Sequence, residues 1–239
     1  MISADDIYKD VLDRINDNEN GAMTNNQFNR YSWLGQLACL DWVSGDISGI
    51  VPPEPYRTQK NRDYLSPFIV PFPVQVVNGK ITKPSDYYTW ENAYLLGNYN
   101  ATEIECDEDV VADGCNIAIE LLSGDAFYNR CNTFIIGLKP SFLKPICKEV
   151  GNEFEFLPKD LGSITLEYIK YPIRSKRAVK LDSQYNEEIY DDTNSIGFDW
   201  PEFARPVLTW FIADLFFNYT REQAGKQFNA ATGKTPARP

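Results

Sequence analysis

Ile164-Thr-Leu-Glu-Tyr-Ile-Lys-Tyr171 is the stretch of this sequence that most clearly specifies a β-strand. Apolar side chains at Ile164, Leu166 and Tyr168 alternate with a second row that begins at Thr165. Successive side chains of a strand point to opposite faces, so this period of two predicts a half-buried strand. Short apolar runs broken by Pro, Gly and Asn surround it over residues 64–180. Such short apolar runs with turn-forming residues between them predict a β-rich middle region.

Other short segments of the middle region carry strand or turn signals. Asn78-Gly79 lies between two apolar stretches, and this dipeptide is a strong hairpin signal because both positions tolerate positive φ. Further strand candidates are Cys115–Ile119, Thr133–Gly137 and Glu153–Leu157. A short helix near residues 117–131 is the competing interpretation for part of this region.

Two helices are predicted before the β-rich region. Ser3 and Asp6 have capping-box spacing, and Ile7, Val11 and Ile15 then repeat every four residues. A second capping box, Thr24 with Gln27, starts a helix that is expected to end near Ser44. Its expected apolar face consists of Phe28, Tyr31, Leu34 and Ala38. Few basic residues occur in this helical hairpin, which argues against a DNA-reading helix-turn-helix.

A long helix is predicted near the C-terminus. Asp199 and Pro201 provide a helix start, with Pro at an early helical position. The expected main stripe consists of Phe203, Val207, Trp210, Phe211 and Leu215. Leu208, Ile212, Phe216 and Tyr219 widen it. A helix that is apolar over so much of its circumference is buried on more than one side. Either it runs through the domain centre, or a partner subunit covers its second face.

Together these patterns predict an α+β fold in which terminal helices, packed together, flank a central β-rich region, with an extended C-terminal arm. The expected segments are a helical hairpin (1–46), a Pro-rich connector (47–63), the β-rich region (64–198), the long helix (199–228) and a basic tail (229–239). Residues 221–239 are locally basic on an acidic chain. They form either a solvated tail or an arm that docks on an acidic neighbour.

Composition excludes several classes of function. The 239 residues carry a formal net charge of −11, which disfavours a surface that grips DNA phosphates. There is no histidine, and the five cysteines include no close pair, so we expect reduced thiols without zinc or another metal. Met1-Ile-Ser-Ala-Asp-Asp6 lacks signal-peptide features, and no apolar run approaches a bilayer span. The chain is therefore expected to fold in a reducing cytoplasm, without membrane contact.

No complete catalytic or cofactor motif is present, so we predict a non-enzymatic protein without a cofactor. Gly233-Lys-Thr235 matches only the end of a phosphate loop, because Pro236 prevents the helix that should follow. Serine and cysteine nucleophiles usually need a histidine base. The acidic stretch Glu103–Asp109 fits a solvated loop better than a calcium loop. The opposed blocks Arg174–Lys180 and Asp182–Asp192 indicate a charged loop or a subunit contact.

Three stretches are informative when taken together: Gly21-Ala-Met-Thr-Asn-Asn-Gln-Phe-Asn29, the segment from Pro158 to Pro172, and the C-terminal helix. They resemble virion structural proteins of short-tailed, crAss-like bacteriophages. The order of terminal helices around a β-rich insertion is similar to that of head–tail connector proteins. The resemblance implies a homo-oligomeric ring of twelve copies, in the neck or tail below the portal, that forms part of the DNA channel. Its expected partners are the portal, other neck or tail proteins and, as non-specific cargo, double-stranded DNA. The expected location is the virion, after assembly in the host cytoplasm.

This interpretation predicts interface residues rather than a catalytic centre. The assembly-interface candidates are Trp210, Phe211, Phe216, Arg221, Lys226, Lys234 and Arg238. A carbohydrate- or receptor-binding module stays open as an alternative, because aromatic side chains of the β-rich region could stack on sugars. A small hydrolase that uses two carboxylates is the second alternative.

Overall fold

Helices occupy both ends of the chain and sheets its middle, which confirms the predicted α+β class. The computed structural model describes residues 1–16, 23–45, 59–95, 116–182 and 188–232, and for 59–61, 136 and 221–232 only the backbone. The helices are α1 (Ala4–Asn16), α2 (Asn25–Ser44), α3 (Gln59–Leu65), α4 (Gly124–Cys131) and α5 (Arg205–Thr232). The strands are β1 (Ile69–Gln75), β2 (Lys80–Thr82), β3 (Tyr87–Leu95), β4 (Ile117–Ala118), β5 (Glu120–Leu121), β6 (Ile146–Val150), β7 (Glu153–Leu157), β8 (Ser163–Lys170), β9 (Val179–Leu181) and β10 (Glu188–Tyr190).

The chain divides into two compact units whose boundaries differ from the segments drawn on the sequence. Unit 1 comprises Met1–Pro67 with Pro172–Pro239, and unit 2 is Phe68–Tyr171. Residues 172–198, which the sequence pattern assigned to the β-rich region, therefore belong with the terminal helices. Backbone hydrogen bonds hold them there, because Ile2 and Phe198 form a reciprocal bridge.

Unit 2 is built on two four-stranded sheets. The first has the order β1-β8-β3-β4, with antiparallel neighbours throughout. The second has the order β2-β7-β6-β5, in which only the β5–β6 pair is parallel. The predicted strand at 164–171 is confirmed as β8, but it is not half-buried. Thr165 and Ile169 are buried as well as Leu166, so both faces of β8 are covered.

The Asn78-Gly79 turn forms as predicted, with positive φ at both residues (54° and 75°). Val77 and Lys80 pair across it by two backbone hydrogen bonds. The strands on either side then separate: β1 pairs with β8, whereas β2 pairs with β7. The turn therefore directs the chain from one sheet into the other, and no regular hairpin extends from it.

The remaining strand predictions have mixed outcomes. Glu153–Leu157 is confirmed as β7, and the candidate Cys115–Ile119 contains the two-residue strand β4, with Cys115 itself outside the described residues. Thr133–Gly137 is not a strand: a 3-10 turn, Ile136–Leu138, follows an irregular stretch. A lysine side chain binds a backbone carbonyl of this 3-10 turn: Lys144 Nζ donates to the oxygen of Gly137 at 2.8 Å.

The N-terminal helices form as predicted, although one expected face residue is wrong. Thr24 Oγ1 accepts from the Gln27 N–H (3.3 Å), and the Gln27 side chain accepts from the Thr24 N–H (2.9 Å), which completes the capping box. Leu34 is exposed, however, and Gly35 lies on the buried face. The connector prediction is also wrong at its end, where α3 begins at Gln59.

The C-terminal helix begins later and ends later than predicted. Asp199 does not cap it, because the Asp199 carboxylate accepts from the Ile173 N–H at 3.1 Å. A 3-10 turn, Glu202–Ala204, leads into α5, which continues to Thr232 and so includes the first four residues assigned to the tail. Residues 233–239 of that tail lie outside the described residues.

The buried stripe of α5 is the row that the sequence pattern treated as secondary. Leu208, Ile212 and Phe216 are buried, whereas Trp210 and Phe203, from the expected main stripe, are exposed. No helix in the described parts of the chain is long and apolar enough to cross a bilayer.

Candidate assembly surfaces

Helices α2 and α5 pack closely because a glycine lies at their contact. An added Cβ at Gly35 would lie 2.6 Å from Ile212 Cγ1 and 3.3 Å from Ile212 Cα. Only a residue without a side chain allows this approach of α2 to the α5 backbone. Tyr31 of α2 and Phe216 of α5 add an edge-to-face aromatic contact, with ring centroids 6.0 Å apart.

A partly exposed aromatic surface spans α2 and α5. We define it by Trp42 of α2 and by Trp210 and Phe211 of α5. The Trp42 and Phe211 ring centroids are 6.1 Å apart across the two helices, and those of Trp210 and Phe211 are 4.8 Å apart. Trp42 is 48% exposed and Trp210 is 45% exposed. Large aromatic side chains that are half-exposed and contact one another are typical of a surface that another protein covers.

The interface candidates predicted from sequence divide into three groups. Trp210 and Phe211 belong to the aromatic surface. Phe216 is 2% exposed and lies in the core of unit 1, so it is not an interface residue. Arg221 and Lys226 lie on the described backbone of α5 but outside its described side chains, and Lys234 and Arg238 lie outside the described residues altogether.

A polar network centred on Arg177 fixes the segment after β8 to α1 and α2. The Arg177 guanidinium donates to Asp5 Oδ1 of α1 at 2.9 Å and to Asn25 Oδ1 of α2 at 3.1 Å. Both Asn25 and Asn29 donate side-chain amide hydrogens to the Arg177 carbonyl, at 3.1 and 2.9 Å. Asn29 Oδ1 also accepts from the Arg177 N–H at 2.7 Å. The backbone and side chain of Arg177 are therefore both bound.

The same face of α2 continues the network further along the helix. Gln36 Nε2 donates to Ser175 Oγ at 3.1 Å, and Ser175 Oγ donates to Ser32 Oγ at 3.2 Å. This network was not predicted from the sequence. A signal was present, however, because Asn25, Asn29, Ser32 and Gln36 recur every three or four residues and so share one helix face.

Asp5 is ionised within this network. Burial alone would raise the pKa of Asp5, but hydrogen bonds from Lys9 and Arg177 and the charges of both cations outweigh it. The pKa of Asp5 consequently lies below its ordinary value. Lys9 Nζ lies 2.8 Å from the carboxylate and is itself mostly exposed, so Arg177, which is buried, is the more constrained partner.

A second ion pair joins α1 to the start of α5. Arg205 binds Asp10 through two nitrogens, with Nε–Oδ2 at 2.6 Å and NH2–Oδ1 at 2.9 Å. These hydrogen bonds, followed by the Asp10 charge, raise the pKa of Arg205. Such two-point contacts define orientation better than a single ion pair does.

A cationic cleft of about 480 Å³ opens beside the Arg177 network. Its lining residues are Asn26, Asn29, Arg30, Arg174, Ser175, Lys176 and Ile196. The block Arg174–Lys180 was predicted to be a charged loop or a subunit contact. The side chains at its start alternate between exposed and buried positions. Arg177 is buried in the network, whereas Arg174 and Lys176 are exposed at the cleft. The cleft therefore combines fixed polar groups with exposed positive charges.

An exposed apolar tip projects between α4 and β6 of unit 2. Phe134 is 98% exposed and Ile135 is 62% exposed. Leu138, Phe142 and Leu143 are also exposed. This tip includes the predicted strand Thr133–Gly137. A β-strand needs a neighbouring strand for its backbone hydrogen bonds, and none pairs with this stretch within the described residues of unit 2.

The described residues contain no group of three acidic or cysteine side chains close enough to share a metal ion. The acidic stretch Glu103–Asp109 lies outside those residues, as do Cys106 and Cys115. No known protein-family model matches the sequence, and no curated protein matches it either.

Proposed function

We propose that this chain is a non-enzymatic virion structural protein, a subunit of an oligomeric ring in the head–tail connector or tail of a short-tailed, crAss-like bacteriophage. In this proposal the ring lies below the portal, forms part of the DNA passage channel and contacts the portal or neighbouring neck and tail proteins. The observation that carries the proposal is the aromatic surface of Trp42, Trp210 and Phe211.

The aromatic surface supports assembly for an energetic reason. Burying a Trp side chain removes a large apolar area from water, and aromatic residues dominate the binding energy of many protein interfaces. In a head-to-tail ring each subunit uses two different surfaces, and the ring closes when the rotation between subunits divides a full turn. The cationic cleft offers a second surface of different chemistry in unit 1.

The test is assembly of the full chain, alone and with its portal, followed by light scattering and negative-stain imaging. We expect rings for the wild type and a loss of assembly for W42A/W210A. The control is L181A, which removes an exposed apolar side chain elsewhere in unit 1. Circular dichroism checks that each variant folds.

Two outcomes would contradict the proposal. Rings that form equally well from W42A/W210A would exclude the aromatic surface as the interface. A wild-type chain that stays monomeric with the portal and binds immobilised glycans would instead support the carbohydrate-binding alternative.

A further inference from the structure

The cationic cleft is lined by three basic side chains that lack an ionic partner within the described parts of the chain. Arg30, Arg174 and Lys176 line it, and none of them forms an ion pair with any residue that the structure describes. They form a locally positive surface on a chain with 34 acidic and 23 basic residues. Three like charges around one cleft repel one another, and an anionic ligand would remove that repulsion.

The floor of the cleft is rigid. The Asn29 side chain forms two hydrogen bonds with the Arg177 backbone, donating to its carbonyl and accepting from its N–H. Ser175 is held by hydrogen bonds with Gln36 and Ser32. Because these groups are already bound, they cannot collapse onto the cations. A site whose geometry exists before binding loses less entropy when a ligand arrives.

The rim is adaptable and polar. Arg30 lies with its guanidinium 6.0 Å from the centroid of the Tyr31 ring, and Arg174, Lys176 and Asn26 are exposed. Arginine presents several N–H donors that match the two oxygens of a carboxylate. A segment that carries several carboxylates therefore fits this rim.

The chain itself contains such a segment. Residues 103–113 carry six acidic side chains and no basic one. The acids are Glu103, Glu105, Asp107, Glu108, Asp109 and Asp113. We propose that the cationic cleft is the docking site for the acidic segment 103–113 of a second copy of this chain. The proposal rests on the proposed ring, because a head-to-tail contact joins two different surfaces of identical subunits.

The first experiment measures binding without requiring a ring. A fluorescein-labelled peptide of residues 101–114, with Cys106→Ser, is titrated by fluorescence anisotropy with the full chain. That chain carries E103Q/E105Q/D107N/E108Q/D109N, so that its own segment does not compete. We expect binding that R30E/R174E/K176E weakens at least about tenfold, since three ion pairs are reversed. High salt should weaken it as well.

The control for this titration is K139E/K159E/K180E, which changes the net charge equally at bases outside the cleft, and it should bind like the parent. Equal loss in the control would show general electrostatic attraction and overturn the proposal. A peptide that fails to bind while inorganic phosphate or duplex DNA does bind would overturn it too.

The second experiment tests whether the segment comes from another copy. R30E/R174E/K176E and E103K/E105K/D107K should each fail to assemble, and their mixture should form mixed rings. If the mixture fails and only a chain with both sets of changes assembles, the segment docks within its own chain, which overturns the proposal. If the wild type forms no ring, the proposed function fails, whereas the peptide titration still decides whether the cleft binds the segment.

Discussion

At the scale of single residues, Arg177 shows how this protein buries a charge. A guanidinium removed from water is costly unless it is paired and hydrogen-bonded. Asp5 provides the pair, at 2.8 Å from NH2, and Asn25 provides a further acceptor. The Tyr8 ring lies under the guanidinium, 4.1 Å from its carbon to the ring centroid. Arg177 thereby links α1, α2 and the segment that follows unit 2.

Replacing Asp5 should remove the charge partner of Arg177. We expect D5N to lower the free energy of unfolding by about 3 kcal/mol at pH 7, as when one partner of a buried ion pair is lost. Because the pKa of Asp5 is lowered in the folded protein, its contribution is present above the ordinary value of 3.8. That contribution is lost as the pH falls through the folded pKa. The difference between wild type and variant should therefore shrink in acid.

Urea denaturation between pH 3 and pH 7 measures this difference. The control is D13N, which changes an exposed acid on the same helix and should be nearly neutral. Equal unfolding free energies for D5N and D13N at pH 7 would show that the Asp5–Arg177 pair adds nothing to stability.

At the scale of elements, short turns with positive φ decide where strands go. Gly79 completes the turn that passes the chain from β1 to β2, and Gly151 lies in the turn between β6 and β7. The two glycines differ in their surroundings. A Cβ at Gly79 would lie 2.8 Å from Lys159 Cγ and 3.1 Å from the Phe156 carbonyl oxygen, whereas a Cβ at Gly151 meets nothing within 4 Å.

This difference separates backbone strain from crowding. We expect G151A to lower the free energy of unfolding by about 1 kcal/mol, the cost of a left-handed conformation for a residue with a side chain. G79A should lower it by about 2–3 kcal/mol, because crowding adds to the same strain. Chemical denaturation of the two variants side by side measures both values. Equal losses would mean that the chain relieves the contact with Phe156 without cost.

At the scale of the whole molecule, each compact unit contains one fully buried thiol among its described cysteines. Cys39 lies in unit 1 and Cys147 in unit 2. Burial raises the pKa of Cys39 to about 12, and burial together with the nearby Glu149 charge raises the pKa of Cys147. The thiolate is the reactive form of cysteine, so both groups are inert while their unit is folded.

The two thiols should report unfolding of their own unit. With iodoacetamide at pH 8, we expect Cys131, which is half-buried, to be alkylated well before Cys39 and Cys147. Peptide mass spectrometry measures each site. D5N should speed alkylation of Cys39, and G79A should speed that of Cys147, because each variant destabilises the unit that holds the thiol. Alkylation of Cys39 in the native protein as fast as that of Cys131 would contradict the buried position of Cys39.

The sequence by itself determined those features that depend on residues a few positions apart. The capping box of Thr24 and Gln27, the positive-φ turn at Asn78 and the period-two strand at 163–170 all belong to this group. Local hydrogen bonds, side-chain size and alternation set these structures, so a short window of sequence contains the whole cause.

Only the tertiary structure decided which of several possible partners each segment meets. It showed that Leu208 and Ile212 form the buried stripe of α5, and that Asp199 binds the Ile173 N–H instead of capping a helix. It also brought Asn29 to Arg177, 148 residues away, and so formed the cationic cleft. Composition and periodicity do not encode such pairings, because the choice among apolar faces or acceptors depends on the packing of the entire unit.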